Sequence, residues 1–353
     1  MKQPSFDVIV VGAGLTGLYL TKLLIEAGKS VLTLEARPAP GGRIRTLRDE
    51  NGAGLEMGAT WFGKKHSGLV QLLQELDIQS FEQRTGPTAI YQLDAQAPAQ
   101  IVRLPANDDP SYRIGGGSGH LIDTLAKRVS SSVRYGEPVR SIEKQANGVS
   151  VVTNQGTYLA QWVVTTLPPY LLINSIKFNP ALSDDLLTTA NRTHTWMGES
   201  IKVGIRYATP FWLAEGQPGG TVFSNAGPVT ELYDHSAHPQ SGYALKGFID
   251  GRYHALPQAE RKSLVLDQLR SYYGPVVDTY TEYHDTVWRE EPFTFLLYSD
   301  YVAPHQNNGV AIFRQPQWDG RLLIGGSETA NQYPGYMDGA ARSAKALARE
   351  ILS

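Results

Sequence analysis

One hexapeptide limits the fold more than any other feature of the chain. Gly12-Ala13-Gly14-Leu15-Thr16-Gly17 follows the apolar run Asp7-Val8-Ile9-Val10-Val11 and opens a segment with helical spacing. The run reads as a strand buried on both faces. Residues 15–27 place Leu20, Leu23, Leu24 and Ala27 on one helix face, and Gly28 is a helix stop. Ser30-Val31-Leu32-Thr33-Leu34-Glu35 is a second buried strand, so strand, helix and parallel strand form one βαβ unit. In such a unit Gly12 permits the tight turn, Gly14 lets the backbone approach a pyrophosphate, and Gly17 lets helix and strand pack closely. The helix N-terminus offers free N–H groups to the anion. Glu35 stands 18 residues after Gly17, at the end of the second strand. Its carboxylate suits ribose hydroxyls and repels a 2′-phosphate, which argues against NADP. The unit predicts a dinucleotide site without separating NAD from FAD.

Composition excludes several other classes. A chain of 353 residues has room for two domains. Apolar residues at 41% and charged residues at 19% are ordinary for a soluble globular protein. Lys plus Arg total 32 against 34 for Asp plus Glu, and no basic tract suggests a nucleic-acid partner. The absence of cysteine excludes disulfides, thiolate zinc sites, iron–sulfur clusters and a cysteinyl flavin link. The start of the chain lacks the charged and apolar regions of a signal peptide, and no apolar stretch approaches the ~20 residues that span a bilayer. The expectation is a cytoplasmic protein with no membrane span and no metal.

Further along, residues 118–130 read as a helix with Ser118 or Gly119 near its cap. Residues 133–166 read as short strands with turns at Asn147-Gly148 and Asn154-Gln155-Gly156, and 162–166 return to the main sheet before Pro168-Pro169. Residues 201–207 alternate, with Ile201, Val203, Ile205 and Tyr207 on one face and Lys202, Gly204 and Arg206 on the other. Strands are predicted at 243–249, 280–287 and 321–326, and a helix at 258–273. The chain closes on a helix from about Met337, with small or apolar residues at 337, 340, 341, 344, 347, 348 and 351 forming one stripe. Nucleotide-binding pieces thus come from the start, middle and end, with 62–110 and about 173–310 inserted as one cap layer.

Four further segments carry a family resemblance: Pro40-Gly41-Gly42-Arg43, Glu56-Met57-Gly58-Ala59-Thr60-Trp61, Gly198-Glu199-Ser200-Ile201-Lys202-Val203, and Gly325-Gly326-Ser327-Glu328-Thr329-Ala330 followed by Gly335-Tyr336-Met337-Asp338-Gly339-Ala340. Taken alone, Gly-Gly-Arg is a solvated turn, Trp61 a core tryptophan and Lys202 a surface lysine. Together they resemble the flavin-containing amine oxidases, the group with monoamine, polyamine and L-amino-acid oxidases, in a short bacterial-type form. The resemblance implies an α/β fold: a Rossmann-type, glutathione-reductase-like FAD-binding domain from 1–61, 112–172 and 311–353. A discontinuous α+β cap on a mixed or antiparallel sheet then comes from 62–111 and 173–310. It implies FAD contacts from Gly12, Gly14, Leu15, Thr16, Gly17, Glu35, Ala36, Arg37 and Val139. It places Gly42 and Arg43 under the pyrophosphate and Gly58, Ala59, Thr60 and Trp61 along the ribityl chain and ring. Gly326, Glu328, Tyr336, Met337 and Ala340 form its C-terminal side, with the helix N-terminus aimed at the edge of the flavin that gains negative charge on reduction.

For the chemistry, the resemblance implies that Lys202 holds a water beside flavin N5. It implies that Tyr298 and Tyr336 face each other across the flavin as an aromatic cage that steers an amine. Tyr301 competes with Tyr298 for that role. The implied reaction is hydride transfer from the carbon bearing the nitrogen to flavin N5. The imine hydrolyses and oxygen reoxidises the flavin to give hydrogen peroxide. Leu297 stands where covalent family members carry cysteine, so FAD is expected to be noncovalent. The segment between Trp61 and Gly115 is short for the family, which leaves the pocket more open or covered by the second subunit of a homodimer. It also removes the usual place of a carboxylate-binding arginine, for which Arg103 and Arg113 are the remaining candidates. Two other readings stay open: a desaturase of a porphyrinogen or polyene on the same scaffold, and a flavin-binding protein without turnover.

Overall fold

The computed structural model describes residues 5–237, 242–298, 303 and 305–353. Tyr301 lies outside these residues. The chain forms two large sheets, and the first is built on the predicted βαβ unit. Ser5–Val11 lies at its centre, parallel to Val31–Leu34 on one side and to Thr157–Thr165 on the other. Val133–Arg134 extends one edge. Gly148–Thr153 and Val139–Gln145 continue the other edge as an antiparallel meander, and Leu322–Ile324 adds in parallel to the end of Thr157–Thr165. Alternate residues of the central strand feed two cores. Val8 and Val10 pack beneath the helices Leu15–Glu26, Ser118–Arg128 and Met337–Leu352, while Ile9 and Val11 pack beneath the meander and its neighbours. This explains the absence of polar alternation in the sequence of that strand.

Leu15–Glu26 lies against both the first strand and the last helix. A Cβ on Gly17 would collide with the carbonyl oxygen of Gly12, so only glycine lets the helix start this close to the strand. Thr16 Oγ1 donates to Ala340 O at 3.1 Å and ties the first helix to the last. Gly17→Ala is expected to force the two elements apart, lower the melting temperature by ~10 °C or more and abolish flavin retention. A melting scan with the 450 nm absorbance of the purified variant checks this.

The second sheet has seven strands, in the order Tyr280–Val287, Ile201–Tyr207, Tyr243–Ile249, Val229–Asp234, Val222–Ser224, Thr88–Gln92 and Gln100–Arg103. All neighbours are antiparallel except Val222–Ser224 with Thr88–Gln92, so the sheet is mixed. Ile201, Val203, Ile205 and Tyr207 pack under helix Gln258–Tyr273, against Val265, Leu266 and Leu269. The opposite face is also buried, because it lies on the hairpin Thr46–Arg48 and Gly54–Glu56. Arg206 donates to Leu47 O at 3.0 Å and Ala53 O at 2.9 Å, and a Cβ on Gly204 would meet Leu55 at 2.8 Å. The alternation in 201–207 therefore separates two interiors rather than core from solvent.

The inserted segments divide between the sheets. Lys177–Asn179 pairs with Val139–Gln145, and Leu182, Leu186 and Ala190 join a core of the first sheet, so the chain crosses to the second sheet after these residues rather than at 173. Ser67–Glu75 packs Leu69, Leu72 and Leu73 into the core of the nucleotide-binding helices, while Thr88–Gln92 and Gln100–Arg103 join the second sheet. The helix predicted at 118–130 starts behind Gly117, whose φ of +84° favours glycine, and ends at Arg128. The strand predicted at 321–326 is confined to Leu322–Ile324.

Candidate active site

A cleft opens where the first sheet, the N-terminus of Met337–Leu352 and the segment 292–294 meet. Its floor is the glycine turn. Gly12 has φ +105°, which turns the strand into the helix, and Gly14 and Gly41 pair as an isolated bridge. A Cβ on Gly14 would meet nothing closer than Gly41 O and Gly42 Cα, each 4.0 Å away. Backbone is thus exposed along the glycine turn, as close contact of N–H groups with a pyrophosphate requires. Glu35 Oε2 accepts from the Ala13 amide at 2.7 Å and Oε1 from the Arg37 amide at 2.9 Å. These bonds fix the turn and leave lone pairs for ribose hydroxyls. The donor set fits a dinucleotide.

Several expected cofactor residues line this cleft directly: Gly12, Gly14, Leu15, Thr16, Glu35, Ala36 and Arg37 at the nucleotide end, and Gly42, Arg43, Ala59 and Val139 along its walls. Tyr336, Met337 and Ala340 close it at the last helix. Others stand behind the wall. Gly58 lies against Arg43, whose carbonyl oxygen a Cβ there would strike, and Gly326, with φ +119°, turns the chain after Leu322–Ile324. Glu328 is buried at 1% exposure beneath Arg43. The guanidinium grips both carboxylate oxygens and also donates to Ser327 Oγ at 3.0 Å and Thr195 Oγ1 at 2.8 Å. Burial works to raise the Glu328 carboxyl, but the Arg43 charge and these hydrogen bonds leave it below its ordinary range.

Lys202 is 2% exposed, not a solvated lysine. Its Nζ lies 3.7 Å from the Phe248 ring centre, 5.3 Å from Trp196 and 6.0 Å from Trp61. Trp196 lines the cleft, so Lys202 stands one side chain behind the wall. Burial, and then the neighbouring Lys246 charge, hold the ammonium well below the usual lysine range.

Lys246 escaped the sequence reading. It is fully buried, donates to Thr60 Oγ1, and lies 4.1 Å from the Trp61 ring centre. Burial is the main force that pushes it down to about 7; Glu56 opposes the shift and Arg113 adds to it. A signal existed in Ala244-Leu245-Lys246-Gly247-Phe248, where a lysine interrupts an apolar strand. The cross-strand register, Lys202 opposite Phe248 and Gly204 opposite Lys246, puts both lysines on one face. Behind them, Glu56 accepts from the Ser118 amide at 2.7 Å and from its hydroxyl, with Arg113 Nε at 3.6 Å and His235 Nε2 at 3.5 Å. Arg113 is consumed by this buried cluster, and Arg103 is exposed on the edge strand.

The two expected cage tyrosines have different neighbours. Tyr336 lines the cleft, parallel to His305 at 5.7 Å and 5.6 Å from His66. Tyr298 packs on His194 at 3.7 Å and donates its hydroxyl to Glu199, which Arg289 holds through both oxygens at 2.8 and 2.7 Å. Burial and then the Glu199 carboxylate raise the Tyr298 hydroxyl above its ordinary range. Leu297 beside it is exposed.

The profile of the flavin-containing amine oxidoreductases matches residues 15–109 and 95–352. The chain belongs to this family. Among the family's curated members, a probable flavin-containing monoamine oxidase A of Dictyostelium discoideum is 25% identical, with 98% of this chain and 97% of the relative covered. The pig amine oxidase B is 23% identical, covering 98% and 86%. Both comparisons extend over about 450 residues, more than this chain has, so the relatives carry insertions that it lacks. The fold is shared with a putrescine oxidase bound to putrescine, at TM-score 0.84, 22% identity and 99% of each chain covered. It is shared also with the cyclohexylamine oxidase of Brevibacterium oxydans, at TM-score 0.85, 21% identity and 99% of each chain covered. A Rossmann-type FAD domain with a second, substrate-side sheet is the architecture of this family member. No helix among the described residues is long and apolar enough to cross a membrane.

Proposed function

We propose that the chain binds FAD noncovalently and oxidises an organic amine to an imine, with oxygen as the electron acceptor and hydrogen peroxide as a product. The observation that carries this reading is Lys202, a lysine 2% exposed among aromatic rings on the sheet face behind the cofactor cleft. A solvated or structural lysine has no reason to occupy that place without an ion pair. When bound, FAD supplies the hydride acceptor and the route of electrons to oxygen.

The chain's own groups do the rest. The glycine turn and Glu35 would hold the nucleotide, and Arg43, backed by Glu328, would face the pyrophosphate. The start of Met337–Leu352 lines the cleft, and its N–H groups would stabilise the negative charge a flavin gains on reduction. That helix start is braced by Asp338, which accepts from the Leu69 amide at 2.8 Å and from Arg342 Nε at 2.5 Å. Lys202, whose ammonium burial holds well below the usual lysine range, would hold a water at Nζ by a hydrogen bond. Trp61, Trp196 and Phe248 keep bulk water out, and Tyr336 and Tyr298 guide the substrate nitrogen.

The decisive experiment measures peroxide from purified yellow protein against primary, secondary and polyamines. At least one amine is expected to give peroxide and to bleach the flavin anaerobically. Bleaching by light but by no amine would sink the reading and favour desaturation of another substrate. With no cysteine in the chain, acid precipitation is expected to release all of the flavin as intact FAD. Colour retained in the pellet would contradict noncovalent binding.

A further inference from the structure

The nucleotide end of the cleft holds a second acid besides Glu35. Glu137 lies in the loop between Val133–Arg134 and Val139–Gln145, and its amide donates to Glu35 O at 2.9 Å. It lines the cleft beside Pro138 and Val139 and is only 4% exposed. The meander fixes its side chain. Val139 pairs with Thr153 across the antiparallel strands, which brings the Thr153 hydroxyl to Glu137 Oε1 at 2.8 Å. Tyr158, just past the turn Asn154-Gln155-Gly156, donates its hydroxyl to the same oxygen at 2.6 Å. Arg134 donates to the Tyr158 hydroxyl at 2.6 Å and ends there rather than on the carboxylate. Oε1 thus takes two hydrogen bonds, whereas Oε2 takes none among the described residues. Oε2 is not sealed from solvent either, so it opens on the cleft that the residue lines. A carboxylate set this deep with one oxygen unpaired calls for a donor, because a buried anion short of hydrogen bonds is costly.

We propose that Glu137 Oε2 receives the exocyclic amino group of the adenine of FAD, and so selects an aminopurine as the base of the cofactor. The proposal rests on the FAD reading above. The order of groups along the cleft supports it. The glycine turn suits the pyrophosphate and Glu35 the ribose; Glu137, bonded through its amide to Glu35 O, stands one step further along the wall, where the base follows the ribose. An ionised carboxylate only accepts, so its partner must be a donor. The amino group is the donor that adenine carries on its edge. A purine without that group would leave Oε2 unpaired beneath the base, at the full cost of its desolvation. The hydroxyls of Thr153 and Tyr158 keep the carboxylate from rotating away, so the acceptor is in place before the cofactor arrives. They also determine what a glutamine would do there. Both would hold its carbonyl oxygen, which turns the amide N–H groups toward the cleft and sets donor against donor.

The test titrates the apoprotein with FAD and with an FAD analogue whose purine lacks the exocyclic amino group, following the protein's tryptophan fluorescence. The wild type is expected to bind FAD ~10–100-fold more tightly than the analogue, the worth of a hydrogen bond to a charged group. Glu137→Gln is expected to abolish that preference by weakening FAD alone. It leaves Thr153 and Tyr158 an acceptor, so its apoprotein is expected to melt close to the wild type. Glu137→Ala is expected to lose the preference as well, with some loss of stability because both hydroxyls lose their acceptor. The wild-type ratio requires no substitution and is decisive even where a variant fails to fold. Equal binding of the two flavins by the wild type, or a preference that survives in a folded Glu137→Gln, would overturn the proposal and leave FAD binding intact. An apoprotein that takes up neither flavin would overturn the FAD reading, and this proposal with it.

Discussion

Lys202→Met is expected to slow reoxidation of the reduced flavin by ~100-fold or more while the protein retains its FAD. Loss of one preorganised polar group in a closed site commonly slows the step it serves by about 10²–10³-fold. The thioether has nearly the length of the lysine stem, so the rings of Phe248 and Trp196 keep a packing partner. Removing a buried ammonium that has no carboxylate partner also removes a desolvation burden, so the variant is expected to be at least as stable as the wild type. Activity and stability then move in opposite directions, which separates a catalytic lysine from a structural one. Stopped-flow mixing of the photoreduced enzyme with oxygen reads the rate, and a melting curve reads the stability. An unchanged oxygen rate would remove Lys202 from the chemistry. A colourless, unstable variant would make it a structural residue instead.

The contrast between what the sequence made legible and what it hid follows from range. The βαβ unit was readable because its signals are local: an apolar run, a glycine turn and an acid at the end of the next strand, Glu35. The alternation at 201–207 was equally local, and it put Lys202 on the correct face. That face could not be read as buried, because its cover is the hairpin Thr46–Arg48 and Gly54–Glu56, some 150 residues away in sequence. Lys246 was hidden for a related reason. Nothing within its own strand says that its neighbour across the sheet is Gly204, or that Trp61 lies above it. The crossing between sheets was misplaced because Lys177–Asn179 is three residues long and pairs with a strand more than 30 residues earlier. Arg113 had the chemistry to bind a substrate carboxylate. Its capture by Glu56 is a tertiary event between two short strands, and composition carries no trace of it.

Arg43→Met is expected to lose FAD and destabilise the fold together, and a second substitution shows why. The Arg43 guanidinium holds Glu328 through both oxygens and reaches Ser327 and Thr195, so it joins three separate parts of the chain at the cleft wall. Glu328 is 1% exposed. Deleting the arginine leaves that carboxylate buried with the Ser327 hydroxyl and a backbone N–H as its polar partners. Breaking a buried pair from one side costs about 3–5 kcal/mol, because the remaining charge is uncompensated. The carboxyl then has to take up a proton, and its pKa moves from below the ordinary range to above it. The depressed value in the wild type means that its contribution to stability is present at neutral pH and fades as pH falls through the carboxylate range. Arg43→Met should erase that acid-side loss and instead grow more stable on acidification. In the double variant Arg43→Met, Glu328→Gln no charge is left buried, and most of the lost stability should return. FAD affinity should not return with it, because Arg43 lines the cleft, whereas Glu328 lies beneath it. Melting curves from pH 4 to 8, paired with fluorescence titration of FAD into each apoprotein, measure both effects. Full recovery of FAD binding in the double variant would show that Arg43 serves only to neutralise Glu328 and has no contact of its own with the cofactor.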